Sequence, residues 1–206
     1  MVEVDDEYID KVTQTACQII EVHSPNRKWQ VDQIIRVLTL AGRHVKDQSI
    51  ATFLQLIAAT PDLQAYSISK LFNALKENKY QDALVRVALW SLGEFGELIP
   101  AGETQIQESS VLELIEDLVY SISSSSIKNY SLNCLIKLAT KFSSESQKRI
   151  PYIIESLQRD QDSDVQQRAL EYGRILTNER LTWDQKRLIF DSMPVAKVSM
   201  NIFHSY

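Results

Sequence analysis

Apolar residues recur three and four positions apart along almost the whole of this chain, and that spacing limits its possible folds more than any other feature. In "WQVDQIIRVLTLAGRHV", Ile34, Val37, Leu38, Ala41 and Val45 fall on one helical face. In "SSVLELIEDLVYSI", Val111, Leu112, Ile115, Leu118, Val119 and Ile122 do the same, with Ser109 or Ser110 as candidate N-cap. The same pattern predicts helices near 49–59, 62–77, 82–98, 126–142, 146–158, 163–177 and 182–192. Turn-formers are scarce, with Gly 5 and Pro 5 in 206 residues, too few for the many turns of a β fold. The fold class that follows is all-α.

The links between these segments are short and polar. "TPD", Thr60 to Asp62, ends one helix and starts the next, since Pro fits a first turn but not an interior. "DQDSD", Asp160 to Asp164, supplies carboxylates for an N-cap and for the positive end of a helix dipole. "SISSSS", Ser121 to Ser126, has the length of a helix-to-helix turn, and Ile99 to Glu108 is the longest irregular stretch. After Pro194 the periodicity weakens, and residues 194–206 read as a tail.

Three helices align on a small residue, Ala88, Ser131 and Ala169, at offsets of 43 and then 38 residues. Four positions on stand Leu92, Leu135 and Gly173; three before stand Val85, Lys128 and Gln166. The first and third copies open with an acid followed by a base, Asp82 with Arg86 and Asp164 with Arg168, which the middle copy lacks. Helix pairs repeating at about 40 residues, with a small residue where neighbours cross, mark an α-α superhelix of the HEAT or armadillo kind. The competing arrangement is a compact helical bundle.

Composition closes off several functions. A formal net charge of -5 is poorly suited to non-specific binding of a nucleic-acid backbone. Cys17 and Cys134 match no metal or redox spacing and read as two reduced thiols. No apolar run reaches 18 residues, and "MVEVDDEYIDKV" lacks the basic-then-apolar layout of a signal peptide, so a soluble intracellular chain is expected.

Nor does any motif carry chemistry. His23, His44 and His204 stand apart from one another and from the cysteines, without HExxH or CxxC, so no metal site is expected. There is no GxSxG elbow. Glu94 and Glu97 lie three apart in "VRVALWSLGEFGELIP", a spacing compatible with acid–base work but common on solvated faces. They are expected to face solvent or a partner, while Val85, Ala88, Leu89 and Leu92 form a buried stripe and Val87 and Trp90 fill a junction with the next repeat. "GEFG" is no phosphate loop, because Glu97 and Leu98 follow where Lys and Ser or Thr are needed. Gly93 and Gly96 instead permit close helix approach, despite each costing about 1 kcal/mol against Ala in a helix interior. "NRKW", Asn26 to Trp29, holds two positive charges and reads as a helix start with its tryptophan packed on a neighbour rather than as a nucleic-acid or headgroup patch.

Four stretches together resemble the trunk of the large adaptins, the big subunits of heterotetrameric clathrin-adaptor complexes. "KWQVDQIIRVLTLAGRHVKD" fits the family pattern at Trp29, Val31, Asp32, Ala41 and Gly42, and Arg36 to Leu38 is closer to gamma- than to alpha-adaptin. "VxVAxWxLGEFGEL", a gamma-like helix, is matched at Val85, Val87, Ala88, Trp90, Leu92, Gly93, Glu94, Phe95, Gly96, Glu97 and Leu98; alpha-type chains share "LGEFG", and Trp90 leans toward gamma. "QQRALEY", with Gln167, Arg168, Glu171 and Tyr172, and "MPV", Met193 to Val195, complete the set in order. The likeness covers about residues 20–195, whereas the serine turn and the first ten residues follow no family feature.

The resemblance implies the C-terminal part of an adaptin trunk solenoid at 21–193, preceded by a partly helical N-terminal extension or an artificial start at 1–20 and followed by a tail toward the hinge at 194–206. It implies a scaffold with a beta-type adaptin and medium and small adaptor subunits as partners, and no cofactor. Clathrin and a small GTPase would be reached through other parts of the full subunit. The resemblance also implies a cytoplasmic protein, peripheral on trans-Golgi and endosomal membranes and coated vesicles. No catalytic, cofactor or metal site is carried over. Other readings are a different α-solenoid scaffold (an alpha-class adaptin, another coat subunit, a nuclear-transport receptor) and an enzyme, which would need convergent polar groups in a pocket.

Overall fold

The computed structural model describes residues 6–101 and 106–190. Its helices are α1 (Asp6–His23), α2 (Arg27–Ala41), α3 (Asp47–Ala58), α4 (Pro61–Glu77), α5 (Asp82–Phe95), α6 (Glu108–Ser121), α7 (Ser125–Leu138), α8 (Ser144–Ser156), α9 (Ser163–Thr177) and α10 (Trp183–Ile189). Short 3-10 segments follow α2, α5 and α8, at Gly42–His44, Gly96–Ala101 and Leu157–Arg159. Among the described residues there is no strand.

Polar side chains set the starts. Asn26 accepts from the Trp29 N–H at 2.8 Å and opens α2. Pro61 sits in the first turn of α4, where a missing N–H costs nothing. Ser124, inside the serine turn, caps α7, and Asp162 caps α9 by accepting from Asp164 and Val165. Thr182 and Gln185 form a reciprocal capping box at α10. Ser109 and Ser110 do not cap α6: that helix begins at Glu108, with Gln107 in the cap position making no side-chain bond. The helix expected over 82–98 ends at Phe95 and tightens into the 3-10 segment.

The helices form two rows. In one, α2 packs on α4 and α6 on α8; in the other, α3 packs on α5, α5 on α7 and α7 on α9. The pairs α2–α3, α4–α5, α6–α7 and α8–α9 pack together and join the rows, and the 3-10 segment after α5 packs on α4 and α5. This is the α-solenoid expected from the repeat. The aligned small residues Ala88, Ser131 and Ala169 lie on α5, α7 and α9, each fully buried where these helices cross. One hydrophobic core runs from Ile20 to Leu176.

Polar bonds between helices follow the same period. Tyr66 donates to Asp32 and Arg86 to Asp47; Arg149 pairs with Glu116, and Arg168 and Tyr172 both donate to Asn133. Each spans 33 to 39 residues, one repeat step. Neighbour-to-neighbour rungs of this kind are what a quasi-one-dimensional stack requires. "MPV", His204 and the tail at 194–206 lie outside the described residues, as do residues 102–105 of the longest loop.

Candidate functional site

The stretch that best identified this chain lies at its most tightly built junction. Along α5, Val85, Val87, Ala88, Leu89 and Leu92 are all fully buried. At the C-terminal end the backbones of α5 and α7 meet. A Cβ on Gly93 would lie 3.1 Å from Cys134 Cα, and one on Gly96 would collide with the Cδ2 of buried Leu138. The close approach expected of both glycines is therefore present.

The expectation for Glu94 is overturned. Its side chain is only 4% exposed and ion-paired with Lys137 of α7, itself largely buried. A carboxylate taken from water at such a helix crossing is stable only with a counter-charge, and α7 supplies one. Glu97 remains half-exposed and pairs with Lys141 at 2.9 Å. Lys141 also donates to the carbonyls of Gly93 and Glu94. Gly96 has right-handed backbone angles, so α5 has no left-handed glycine cap. A lysine from the next repeat binds its last carbonyls instead and faces the negative end of the helix dipole. Both acids are thus committed to structural cations, which removes them as a general acid–base pair. Burial pushes the Cys134 thiol above its ordinary range, so it is an inert core residue.

The remaining motif residues have similar positions. Trp90 is half-buried, its ring edge-on to Phe95 of the same helix at 5.9 Å, rather than wholly inside a repeat junction. Asp32 receives the Tyr66 hydroxyl, whose ring lies under Lys28 at 4.3 Å. Trp29 keeps 37% exposure, so its packing on a neighbour is partial. Ala41 and Gly42 end α2 against Gln81 at the start of α5. In "QQRALEY", Arg168 and Tyr172 turn inward to Asn133, while Gln167 and Glu171 bond each other on the exposed side at 2.9 Å. Asp82 pairs with Arg86 at 2.7 Å as the spacing suggested, whereas Arg168 bonds Asn133.

Sequence reasoning missed Lys137 and Lys141, the corner at Glu108 and the pairing of Asp160 with Lys128. Lys137 and Lys141 stand 43 and 44 residues after Glu94 and Glu97, close to the 43-residue repeat offset, which was the signal available. Glu108 accepts from the Ser143 N–H and hydroxyl at the start of α8. Burial pushes its carboxyl up, but the bonds from Ser143 and Ser146 outweigh that and hold it below the ordinary range. Asp160 behaves likewise: burial is outweighed by Lys128, at 2.6 Å, and by the Asp162 N–H. Among the described residues no cluster of His, Cys, Asp and Glu could hold a metal, and no helix is long and apolar enough to cross a membrane.

Comparison with known proteins agrees with this architecture. The family described as "Adaptin N terminal region" matches residues 1–180. The AP-1 complex subunit gamma of Dictyostelium discoideum is 32% identical over 203 residues, 92% of this chain and 22% of that protein. The human AP-1 complex subunit gamma-like 2 is 36% identical over 185 residues, 86% of this chain and 23% of that protein. The AP-2 complex subunit alpha of Schizosaccharomyces pombe is 29% identical over 195 residues, 91% of this chain and 21% of that protein. The chain therefore spans under a quarter of the length of these relatives.

Proposed function

The chain belongs to the adaptin N-terminal family, and from that premise we propose that it is a structural scaffold segment of a gamma-type large subunit of a clathrin-adaptor complex. Residues 21–193 are then a stretch toward the C-terminal end of the trunk, flanked by 1–20 and 194–206. The observation that carries this reading is the α5–α7 junction. Gly93, Glu94 and Gly96 belong to the stretch that resembles the large adaptins, alpha-type chains included, and are fixed there by contact with the next repeat, while Trp90 is the residue that leans toward gamma. A motif that sets the spacing between repeats belongs to a scaffold, because it determines the surface offered to partners. The partners would be a beta-type adaptin and medium and small adaptor subunits. The assembled complex would sort cargo at trans-Golgi and endosomal membranes, held there peripherally, with clathrin and a small GTPase engaged through other parts of the subunit.

The test is co-expression of the full subunit with the three candidate partners, followed by affinity capture on the large subunit. Stoichiometric capture of all three supports the reading; capture of none sinks it. The alpha-subunit relative from fission yeast favours an alternative, an alpha-class subunit. Preference for alpha-class over gamma-class partners in the same capture would select it.

A further inference from the structure

Two polar bridges cross from α6 to α8. At the starts of the two helices, Glu108 accepts from the Ser143 N–H and hydroxyl. Further along, Arg149 of α8 pairs with Glu116 and, at 3.8 Å, with Glu113. Glu108 and Glu116 are two turns apart on α6, about 12 Å along its axis. The junction leaves an open cavity of about 490 Å³, lined by residues of both bridges and by Leu112, which lies midway between the two glutamates in sequence. That volume is in the range of ligand pockets. Leu112 is only 1% exposed and so lies at the base, and Ile106, partly buried against the core, adds a second apolar side chain to the lining.

The charges decide what can enter. The positive end of the α8 dipole would draw an anion, but Glu108 already holds that place. Arg149, the cation in the lining, is shared between Glu113 and Glu116, and Lys148 beside it in sequence lies outside the lining. Glu145 is different. It lines the cavity from the first turn of α8, is exposed, and pairs with no cation among the described residues. Four carboxylates, Glu108, Glu113, Glu116 and Glu145, are thus set against one guanidinium at this junction. A free carboxylate at the rim of a pocket with an apolar base matches a side chain with an aliphatic stem and a cationic tip. Of the two such side chains, arginine has the planar fork that fits a carboxylate.

We propose that the α6–α8 cavity binds a basic side chain, arginine in preference to lysine, from a segment of a partner protein, with its stem on Leu112 and Ile106 and its cation at Glu145. Glu108 is the positioning residue: by holding the start of α8 to the start of α6 it keeps the two walls at their spacing. The site is built from two consecutive repeats, α6–α7 and α8–α9, so it exists only while the stack holds that spacing. It goes beyond the scaffold reading and does not rest on it. A chain that captures no adaptor subunit would still bind such a segment, and capture of all three subunits would leave the cavity untested.

The test is an NMR titration of the 206-residue chain, methyl-labelled at Ile and Leu, with the peptide acetyl-Gly-Ser-Arg-Leu-Ser-Gly-amide. The Ile106 and Leu112 methyls should shift and saturate together. The same peptide with Gln in place of Arg should bind about 10-fold more weakly, the effect expected of losing a charge-assisted hydrogen bond. Glu145→Gln, an exposed change, should leave the melting temperature unaltered and erase that preference, so that both peptides bind alike. The comparison of peptides on the unmodified chain stands without the variant. No shift of either methyl at millimolar peptide overturns the proposal, as does equal binding of the Arg and Gln peptides or a preference for Glu at that position. Spermidine, a cation without a peptide backbone, should compete poorly; methyl shifts as large as those from the Arg peptide would mean a diffuse acidic surface and would also overturn it.

Discussion

Helices α5 and α1 are held in opposite ways. α5 is buried from Ala83 through Glu94 except at Arg86 and Trp90, and its end is locked by two lysines of the next repeat. α1 touches α2 and the 3-10 segment after it through three buried residues and two surface rungs, Asp10–His44 and Gln14–Lys46. Both segments carry acids and bases at helical spacing. What separates them is whether a neighbour stands on each side, because in a stack each unit is stabilised mainly by its neighbours. The cost of disturbing a residue should therefore follow its junction rather than its chemistry.

The largest expected effect tests the enclosed side of that comparison. Gly93→Leu places a side chain where a bare Cβ already meets the Cys134 backbone, and neither helix can retreat without opening the core. Overpacking of this kind costs about 3 kcal/mol, read as a lowered urea midpoint. Equal melting temperatures for Gly93→Leu and wild type would dismiss the close-approach account. Glu94→Gln comes next. It keeps the shape but leaves Lys137 without its counter-charge, at a cost of about 2 kcal/mol. A variant as stable as wild type would restore the solvent-facing role expected from sequence.

That revision shows what was legible in the sequence. The helices, their hairpins and the α5 stripe could be read because each depends on residues three or four apart in one helix. The contact glycines could be read because two glycines on an apolar helix, each costly in its interior, point to a close approach. The burial of Glu94 could not, because an acid pair three apart looks the same on a solvated face as on one awaiting a lysine 43 residues away. The exposed apolar side chains of α1, Tyr8, Val12, Ile19 and Val22, were equally hidden, because the opening residues match no family feature.

Smaller effects test the rungs. Asn133→Ala removes the acceptor shared by Arg168 and Tyr172 and should cost about 1 kcal/mol. If α9 exchange is unchanged in that variant, the rung is ornamental. Acid tests the corners at Glu108 and Asp160. Both carboxyls are held below their ordinary values in the folded chain, so their contribution is complete above the unfolded carboxylate range, about pH 4. It is lost as pH falls through their lower folded values. Stability should thus drop below about pH 4, and Glu108→Gln, already without that charge, should show a shallower drop. An identical pH profile would remove Glu108 from the account.

The smallest effect closes the comparison from the open side. Lys11 and Glu7 of α1 form an ion pair at 3.0 Å, with side chains 73% and 74% exposed. Glu94 and Lys137 form a pair of the same chemistry, 4% and 18% exposed. In water the attraction of the α1 pair is screened and both chains lose rotamer freedom to hold it, so Lys11→Ala should cost about 0.3 kcal/mol. That residue should vanish in 1 M salt, where the screening length shrinks to about 3 Å. The Glu94→Gln penalty should survive the same salt, because the protein excludes the ions that would screen it. Salt dependence measured on the two variants thus separates burial from pairing. If Lys11→Ala proved as costly as Glu94→Gln, or if salt erased both penalties alike, the difference between α1 and α5 would lie in the pairs themselves and not in the neighbours that enclose them.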